Sequence, residues 1–388
     1  MPVKNRFAEL LPEITAWRRD FHEHPELLFD VHRTAGKVAA LLRDFGCDEV
    51  VEGIGRTGVV GVIKGRTDTR GRVIGLRADM DALPIIEATG VAYASKTPGK
   101  MHACGHDGHT AMLLGAAKYL SETRNFDGTA VVIFQPAEEG GGGGREMVAE
   151  GMLERFGVQE VYGMHNMPGI PVGQFAIRPG AMMAAADQFD VKVTGKGGHA
   201  AKPHDCIDTT LVAAHIVIAL QSIASRNVDP LKQVVVSVCT FRTESEAYNV
   251  IPQTVHLKGT VRTMDPKVQD YVEARVKAIA EGTALTFGAT ADVDYRRGYP
   301  VTMNAPENTV FAAEVAQAVS GRVDTETAPL MGAEDFSFML NERPGAYIFL
   351  GNGDTAMVHH PAYNFDDSAI PFGSSWYAEM AETRMPAA

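Results

Sequence analysis

The segment around residues 102–109 holds the densest group of reactive side chains in the sequence. Within eight positions stand three imidazoles, one thiol and one carboxylate, contributed by His102, Cys104, His106, Asp107 and His109. Thiolate and imidazole groups are good ligands for first-row divalent metals, and a glycine between Cys104 and His106 would let both reach one ion. The density and spacing favour a metal site in a loop over a group of surface histidines with an incidental cysteine.

Two adjacent carboxylates, Glu138 and Glu139, stand shortly after the apolar run 129–134. Neighbouring carboxylates at a strand end can point in different directions, so one can bind a metal while the other faces the attacking water. That division of labour is typical of hydrolysis. Taken alone, the pair could equally be the solvated start of a helix.

Three further segments contribute candidates. His165 follows a short apolar pair, and His359 and His360 stand before a proline near another apolar run. Asp81 follows the apolar run 73–76 and could orient a liganding imidazole, or serve instead as a helix N-cap. Alternatively, His165 could be a structural residue, and His359 and His360 could belong to a surface turn. Because five or more donors are available together and an unpaired buried donor is costly, the combined pattern predicts a site for two ions.

Two patterns along the chain indicate the secondary structure that surrounds these groups. Short apolar runs alternate with helical patterns in residues 1–184 and 297–388, which predicts an α/β domain with a mostly parallel sheet. Residues 185–296 show the order βαββαβ, which is typical of an α+β ferredoxin-like unit inserted into the larger domain. Because α/β sheets gather strand ends into one crevice, we expect the Cys, His and Glu donors to meet there.

Composition excludes several classes of protein. The chain has 48 acidic and 36 basic residues, a formal charge of −12 and no run of Lys or Arg, which argues against nucleic acid as a partner. No stretch approaches the roughly 18–20 uninterrupted apolar residues that span a bilayer, so we expect no membrane insertion. The first residues do not resemble a secretory signal, and four cysteines without paired spacing fit reduced thiols. These features favour a cytoplasmic protein.

Eight short motifs follow one another along nearly the whole chain. They are Arg19-Asp-Phe-His-Glu-His-Pro-Glu-Leu, Leu76-Arg-Ala-Asp-Met-Asp-Ala-Leu-Pro, Met101-His-Ala-Cys-Gly-His-Asp-Gly-His, Gln135-Pro-Ala-Glu-Glu-Gly, Gly163-Met-His-Asn, Gly197-Gly-His-Ala, Asn249-Val-Ile-Pro and Gly332-Ala-Glu-Asp-Phe. In these motifs and their order the sequence resembles the metal-dependent amidohydrolases and carboxypeptidases related to aminoacylase. It resembles most their hippurate hydrolase branch, which cleaves N-acyl amino acids.

The resemblance assigns roles to the candidate residues. Glu138 would be the general base, and Asp81 would be the carboxylate that orients a ligand. His359 is preferred to His360 because the family ligand stands two positions before the proline of a His-x-Pro motif, although the family often has Asn or Ser where this chain has His360. The implied metal ligands are Cys104, His106, Glu139, His165 and His359.

Three residues of the inserted segment receive roles from the resemblance alone. His199 would reach the active site of a neighbouring subunit and polarise the scissile carbonyl, where oxyanion charge develops. Asn249 and Arg262 would contact the carboxylate end of the substrate. Without the resemblance, His199 would be interpreted as a turn histidine and Arg262 as a solvent-facing residue of a sheet.

The resemblance also implies an architecture and its partners. A zinc-peptidase-like catalytic domain would carry the ferredoxin-like segment as a lid and dimerisation domain, giving a homodimer or homotetramer. Two divalent ions per subunit, Zn, Mn, Co or Ni, would be the cofactors. The small-molecule substrate would be an N-acyl amino acid.

The predicted reaction is hydrolysis of N-acyl, hippurate-like (N-aroyl) amino acids by metal-activated water, giving a carboxylic acid and a free amino acid. Within the same family, a dipeptidase, a carboxypeptidase or an N-acetyl amino acid deacetylase is the alternative. Outside it, Cys104 could be the nucleophile of a cysteine hydrolase. A noncatalytic metal-binding protein is a further alternative, against which the presence of Glu138 beside Glu139 argues.

Overall fold

The computed structural model describes residues 5–387. The α-helices in this range are α1 (Asn5–Glu23), α2 (His32–Asp44), α3 (His106–Thr123), α4 (Gly143–Ala149), α5 (Met152–Arg155), α6 (Thr209–Leu220), α7 (Pro266–Thr286), α8 (Pro306–Ser320), α9 (Ser337–Glu342) and α10 (Ile370–Arg384). The strands are β1 (Glu49–Ile54), β2 (Gly58–Lys64), β3 (Val73–Asp79), β4 (Thr129–Gln135), β5 (Glu160–Met167), β6 (Phe175–Ala176), β7 (Gly180–Met183), β8 (Ala185–Thr194), β9 (Gly198–His199), β10 (Val234–Thr243), β11 (Val250–Ile251), β12 (Thr254–Thr263), β13 (Thr290–Tyr299), β14 (Thr302–Asn304), β15 (Val323–Asp324) and β16 (Gly345–Gly351). Single helical turns occur at Pro203–Asp205, Ile223–Asn227 and Asp367–Ala369.

The described residues divide into two compact units, each built from more than one segment of the chain. The chain leaves the first unit, forms most of the second and then returns. The first unit comprises the described residues up to 182, residues 303–328 and the described residues from 335 onward. The second comprises residues 183–302 and 329–334.

The second unit extends beyond the segment 185–296 expected from the sequence. Strand β13 continues to Tyr299, so the sheet of the second unit extends past the predicted end. Residues 329–334 also join this unit, because the amide of Ala184 donates hydrogen bonds to the carbonyls of Leu330 and Gly332. Their pairing is a long-range contact that no local pattern reveals.

An eight-stranded sheet forms the centre of the first unit, with the strand order β1-β2-β4-β3-β5-β16-β6-β15. Strands β4, β3, β5 and β16 are parallel to one another, whereas β1, β2 and β4 are joined by antiparallel pairing. Strand β16 is buried along its whole length, as expected of a central strand covered on both faces. The prediction of an α/β fold with a mostly parallel sheet is confirmed.

The C-terminal segment completes the core of the first unit. Strand β16 lies between β5 and β6, and helix α10 packs against α1, α3 and α8. The indole of Trp376 donates to the carbonyl of Ala312 on α8, and the hydroxyl of Tyr377 donates to the carbonyl of Arg77 on β3. Both aromatic side chains are fully buried. The C-terminal segment is therefore part of the core of the first unit.

Strand β1 lies outside the elements expected from the sequence. It occupies the edge of the sheet, and most of its residues are exposed or half-buried. An edge strand with Glu49 and Glu52 lacks the apolar run that marks the central strands. It forms because it can pair with β2.

A four-stranded antiparallel sheet, in the order β10-β12-β8-β13, forms the second unit together with helices α6 and α7. Numbered along this unit, the strand order is 2-3-1-4, and the elements follow one another as βαββαβ, which is the ferredoxin-like arrangement. The core lies between the sheet and the helices and includes Val191, Ile216, Leu257 and Val276. The short strands β9 and β11 pair separately.

One helical segment of the second unit, Thr209–Asn227, is long and apolar enough to cross a membrane by length and composition alone. From the sequence we expect no membrane insertion, because no stretch of this length is uninterruptedly apolar. Its face with Val212, Ile216 and Leu220 is fully buried in the core of the unit. An apolar helix packed on a sheet in this way is typical of a protein core.

Candidate metal centre

The candidate donors lie within or after the parallel strands of the first unit. Cys104 and His106 come after β3, and His106 is the first residue of α3. Glu139 follows β4, His165 lies in β5, and His359 follows β16. As expected from the sequence, the donors come together. The candidate donors form three overlapping sets, and within each set the ligand atoms lie within 4.8 Å of one another. The sets are Cys104, His106 and His165; Cys104, Glu139 and His359; and His106, Glu138 and Glu139.

The turn from Cys104 to His106 depends on Gly105. Gly105 has φ +89°, in the left-handed region that favours glycine. A Cβ atom there would lie 2.3 Å from Nδ2 of Asn166 and 2.4 Å from the hydroxyl of Tyr363. Any other residue would be strained at this φ and would displace these two side chains. The turn brings Sγ of Cys104 to 3.3 Å from Nε2 of His165.

Glu139 stands between two of the imidazoles. Its Oε1 lies 3.3 Å from Nε2 of His359 and 4.0 Å from Nε2 of His106. The sets that contain Cys104, His106 and Glu139 therefore overlap. Because neighbouring sets share donors, this geometry can accommodate two ions side by side.

Two residues beside the cluster have positive φ values although they are not glycines. Ala137 has φ 55° and His359 has φ 68°. Each is held by a backbone hydrogen bond, from the amide of Ala137 to the carbonyl of Leu28 at 3.1 Å and from that of His359 to the carbonyl of Ala103 at 2.7 Å. Such backbone conformations cost roughly 1–3 kcal/mol and concentrate at functional sites, where the surrounding structure imposes them.

The imidazole of His106 makes no hydrogen bond to the described protein groups. Both of its ring nitrogens are buried and have no hydrogen-bond partner among the described residues. The nearest carboxylate oxygen, Oδ1 of Asp81, lies 3.6 Å from Nδ1, which is too long for a hydrogen bond. A buried imidazole among sulfur, nitrogen and carboxylate donors fits a divalent cation, for which these are the usual ligands.

The electrostatics of the protein groups agree with this fit. Burial raises the pKa of the Cys104 thiol well above its ordinary value, and nearby carboxylates, chiefly Glu139, raise it further. Burial lowers the pKa of His165 well below 6.5, which keeps its imidazole neutral. Burial also acts to lower the pKa of His106, but the nearby carboxylates, led by Asp79, outweigh it and raise the pKa to about 10. A cation would replace the protons on Cys104 and His106.

The carboxylate of Asp81 accepts hydrogen bonds from the backbone of both glutamates. Its Oδ1 accepts a hydrogen bond from the amide of Glu138 at 2.8 Å, and its Oδ2 accepts one from the amide of Glu139 at 3.1 Å. The same carboxylate lies beside His106. Asp81 is fully buried and is therefore placed to orient both glutamates and an imidazole.

The site also contains a second network of buried hydrogen bonds and ion pairs, for which the sequence predicted no role. Nδ1 of His109 lies 2.6 Å from Oδ1 of Asp79, and Nε2 of His109 accepts a hydrogen bond from the amide of Asn166 at 2.9 Å. Arg77 holds the other oxygen of Asp79 at 2.7 Å and contacts Asp335 at 3.0 Å. All of these residues stand within the recognised motifs, but only their contacts separate supporting residues from ligands.

The structure places the remaining predicted residues in the second unit. His199 and Asn249 are exposed neighbours, because β9 pairs with β11 and the amide of Ala200 donates to the carbonyl of Asn249. Arg262 lies half-buried on β12, and its Nη1 donates to the carbonyl of Val261 at 3.0 Å. The donor cluster of the first unit contains none of these three residues.

Comparison with known proteins identifies relatives along nearly the whole chain. A model of peptidase family M20/M25/M40 matches residues 75–383. Hippurate hydrolase of Campylobacter jejuni is 43% identical over 376 residues, which cover 96% of this chain and 97% of that protein. N-acetylcysteine deacetylase of Bacillus subtilis is 39% identical and covers 94% of each chain.

Solved structures show the same fold. A dinuclear metal-binding peptidase of family M20 from Bacillus subtilis superimposes with a TM-score of 0.85 at 34% identity. The match covers 98% of this chain and all of that one.

Proposed function

Since the chain belongs to peptidase family M20/M25/M40 and is a metal-dependent amidohydrolase of that family, we propose that it hydrolyses N-aroyl amino acids of the hippurate type. The products would be an aromatic carboxylic acid and a free amino acid. The observation that carries the proposal is the convergence of Cys104, His106, Glu139, His165 and His359 in the first unit, with Glu138 beside His106 and Glu139.

The five converging residues would hold two divalent ions, and Glu138 would act beside them. When bound, the ions would lower the pKa of a water molecule and polarise the scissile carbonyl. Glu138 would take the proton of the attacking water and deliver it to the leaving nitrogen. Asp81 fixes the backbone of Glu138 and so holds this base in place.

The second unit would supply the groups that bind the rest of the substrate. We assign His199 to the scissile carbonyl, where an imidazole donor would stabilise the developing oxyanion. Asn249 and Arg262 would contact the carboxylate of the amino acid. In this proposal the second unit is a lid that dimerises, and His199 serves the partner's site in a homodimer or homotetramer.

Exposed apolar side chains on the loops of the first unit support an apolar acyl group. Leu28 is 41% exposed, Ile86 78% and Met357 55%. The carbonyl of Leu28 bonds the amide of Ala137, next to Glu138, and Met357 stands two residues before His359. A benzoyl group placed against these side chains would bury apolar surface that is otherwise exposed to water.

We expect Leu28→Ala to discriminate between acyl groups. Its kcat/KM for a benzoyl amino acid should fall by about tenfold, because a lost apolar contact is worth roughly 1–3 kcal/mol. Its kcat/KM for the acetyl analogue should stay within about twofold of the value for the unaltered protein, since an acetyl group is too small to cover as much apolar surface as a benzoyl group. Leu231→Ala, which removes the same side chain from an exposed loop of the second unit, is the control. An equal loss for both substrates would argue against an acyl pocket at Leu28.

The proposed function is tested by assaying benzoyl, acetyl and indole-acetyl amino acids, together with dipeptides, after metal removal. Stripped protein should be inactive, and single additions of Zn, Mn, Co or Ni should restore hydrolysis with benzoyl substrates preferred. Preference for acetyl substrates would favour the second candidate, a deacetylase, which the similarity to N-acetylcysteine deacetylase supports. Full activity without metal, lost on alkylation of Cys104, would favour a cysteine hydrolase.

We also place the protein in the cytoplasm. Cys47, Cys104, Cys206 and Cys239 all lack disulfide partners, and thiols persist in a reducing compartment. Cys104 in particular must remain a thiol or thiolate to serve as a ligand.

A further inference from the structure

A buried pair of side chains, Asn166 and Tyr363, joins the loops that carry the candidate ligands. The hydroxyl of Tyr363 donates to Oδ1 of Asn166 at 2.7 Å. Nδ2 of Asn166 in turn donates to the carbonyl of Cys104 at 2.7 Å. Both residues are fully buried, and neither belongs to the candidate ligands.

The pair also lies directly against the turn that presents two ligands. A Cβ atom on Gly105 would overlap both Nδ2 of Asn166 and the hydroxyl of Tyr363. One helical turn later, a Cβ atom on Gly108 would lie 2.3 Å from the ring of Phe365. The start of α3 is therefore packed tightly onto the segment that contains Tyr363.

Tyr363 is connected to His359 through a short loop. The amide of Tyr363 donates to the carbonyl of His360 at 2.9 Å, and the amide of His359 donates to the carbonyl of Ala103 at 2.7 Å. The C-terminal loop is thus attached to the turn at Cys104 by two routes. One route is the bond at Ala103, and the other runs through Tyr363 and Asn166.

We propose that Asn166 and Tyr363 are positioning residues. They would set the cation affinity of the centre by fixing the positions of Cys104, His165 and His359 relative to one another. This inference rests on the proposed function, because it requires the centre to bind a cation. Asn166 follows His165 directly and bonds the backbone of Cys104, so the side-chain amide couples β5 to the turn. Tyr363 extends that coupling to the loop of His359.

The test is Tyr363→Phe, which keeps the ring and removes only the hydroxyl. We expect its affinity for Mn²⁺ or Zn²⁺ to fall by about 10–100-fold, the range typical of residues that orient ligands. Affinity is measured by titrating metal-stripped protein in competition with a chelator. Tyr162→Phe is the matched control, because Tyr162 is also buried and donates to Glu160 at 2.6 Å, outside the cluster.

The melting temperature of the stripped protein separates positioning from a merely structural role. Both Tyr→Phe variants lose a buried hydrogen bond and should melt earlier, but only Tyr363→Phe should bind metal more weakly. Equal metal affinity in Tyr363→Phe, Tyr162→Phe and the unaltered protein would overturn the inference. In that event, metal binding by the unaltered protein would leave the proposed function standing.

Asn166→Leu provides a second test that remains decisive if Tyr363→Phe does not fold. The substitution preserves the branched shape of the side chain and adds no charge, but it removes the hydrogen bonds to the hydroxyl of Tyr363 and to the carbonyl of Cys104. Weaker metal binding in this variant supports positioning, whereas equal or stronger binding overturns it. If the unaltered protein binds no metal, this inference and the proposed function both fail.

Discussion

Glu138→Gln is expected to lower kcat by about 10²–10⁴-fold, the contribution typical of a general base. Glutamine has the shape of glutamate but cannot accept the proton of the attacking water. The backbone amide of residue 138 would still donate to Asp81, so the surrounding loop should keep its structure. The variant should therefore retain the metal content of the unaltered protein, measured by elemental analysis after gel filtration.

Glu154→Gln and Glu139→Gln provide the controls for this experiment. Glu154 is a surface residue whose carboxylate pairs with Arg343 at 2.6 Å, so its loss should leave kcat unchanged. Glu139→Gln removes a candidate ligand and should lower both metal content and activity. If Glu138→Gln loses metal in the same way as Glu139→Gln, Glu138 is a ligand and not the base.

His359→Asn is expected to weaken metal binding more than the roughly 10–100-fold seen when residues behind a ligand are changed. The substitution removes the imidazole whose Nε2 lies 3.3 Å from Glu139. Asparagine tolerates the left-handed backbone that His359 adopts at φ 68°, so the loop should keep its conformation. Hydrolysis should fall in parallel, because a site that lacks metal cannot activate water.

His360→Asn is the matched control at the next position. His360 is exposed, and its Nδ1 accepts a hydrogen bond from the amide of Ala362 at 3.0 Å. Asparagine can accept the same bond, so metal affinity and kcat should remain within about twofold, as for other surface substitutions. The reverse result, with metal lost from His360→Asn alone, would transfer the ligand role to His360.

The chemistry of the centre could be predicted from residue types alone. Cysteine, histidine and glutamate within short motifs already restrict the ligand set, because few side chains bind first-row metals. The division between Glu138 and Glu139 and the choice of His359 came instead from the family resemblance. The structure adds one contact between two of these candidates, since Nε2 of His359 lies 3.3 Å from Oε1 of Glu139.

The supporting residues could not be identified in the same way. Asp79, His109, Asn166 and Tyr363 are polar residues that local patterns cannot tell from surface residues. Their roles follow from burial and from hydrogen bonds across large separations, such as the 197 positions between Asn166 and Tyr363. The edge strand β1 escaped prediction for a related reason, since pairing with β2 and not an apolar pattern defines it.

Local patterns were enough to predict the class of fold, the donor chemistry and the family, because periodicity and residue type can be recognised within short segments. Which donors meet, and what holds them there, depends on contacts between distant parts of the chain. Parallel pairing of β3, β4, β5 and β16 brings together loops that are distant along the chain. The left-handed turn at Gly105 then lies against Asn166 and Tyr363, a close approach that exists only after the core has formed.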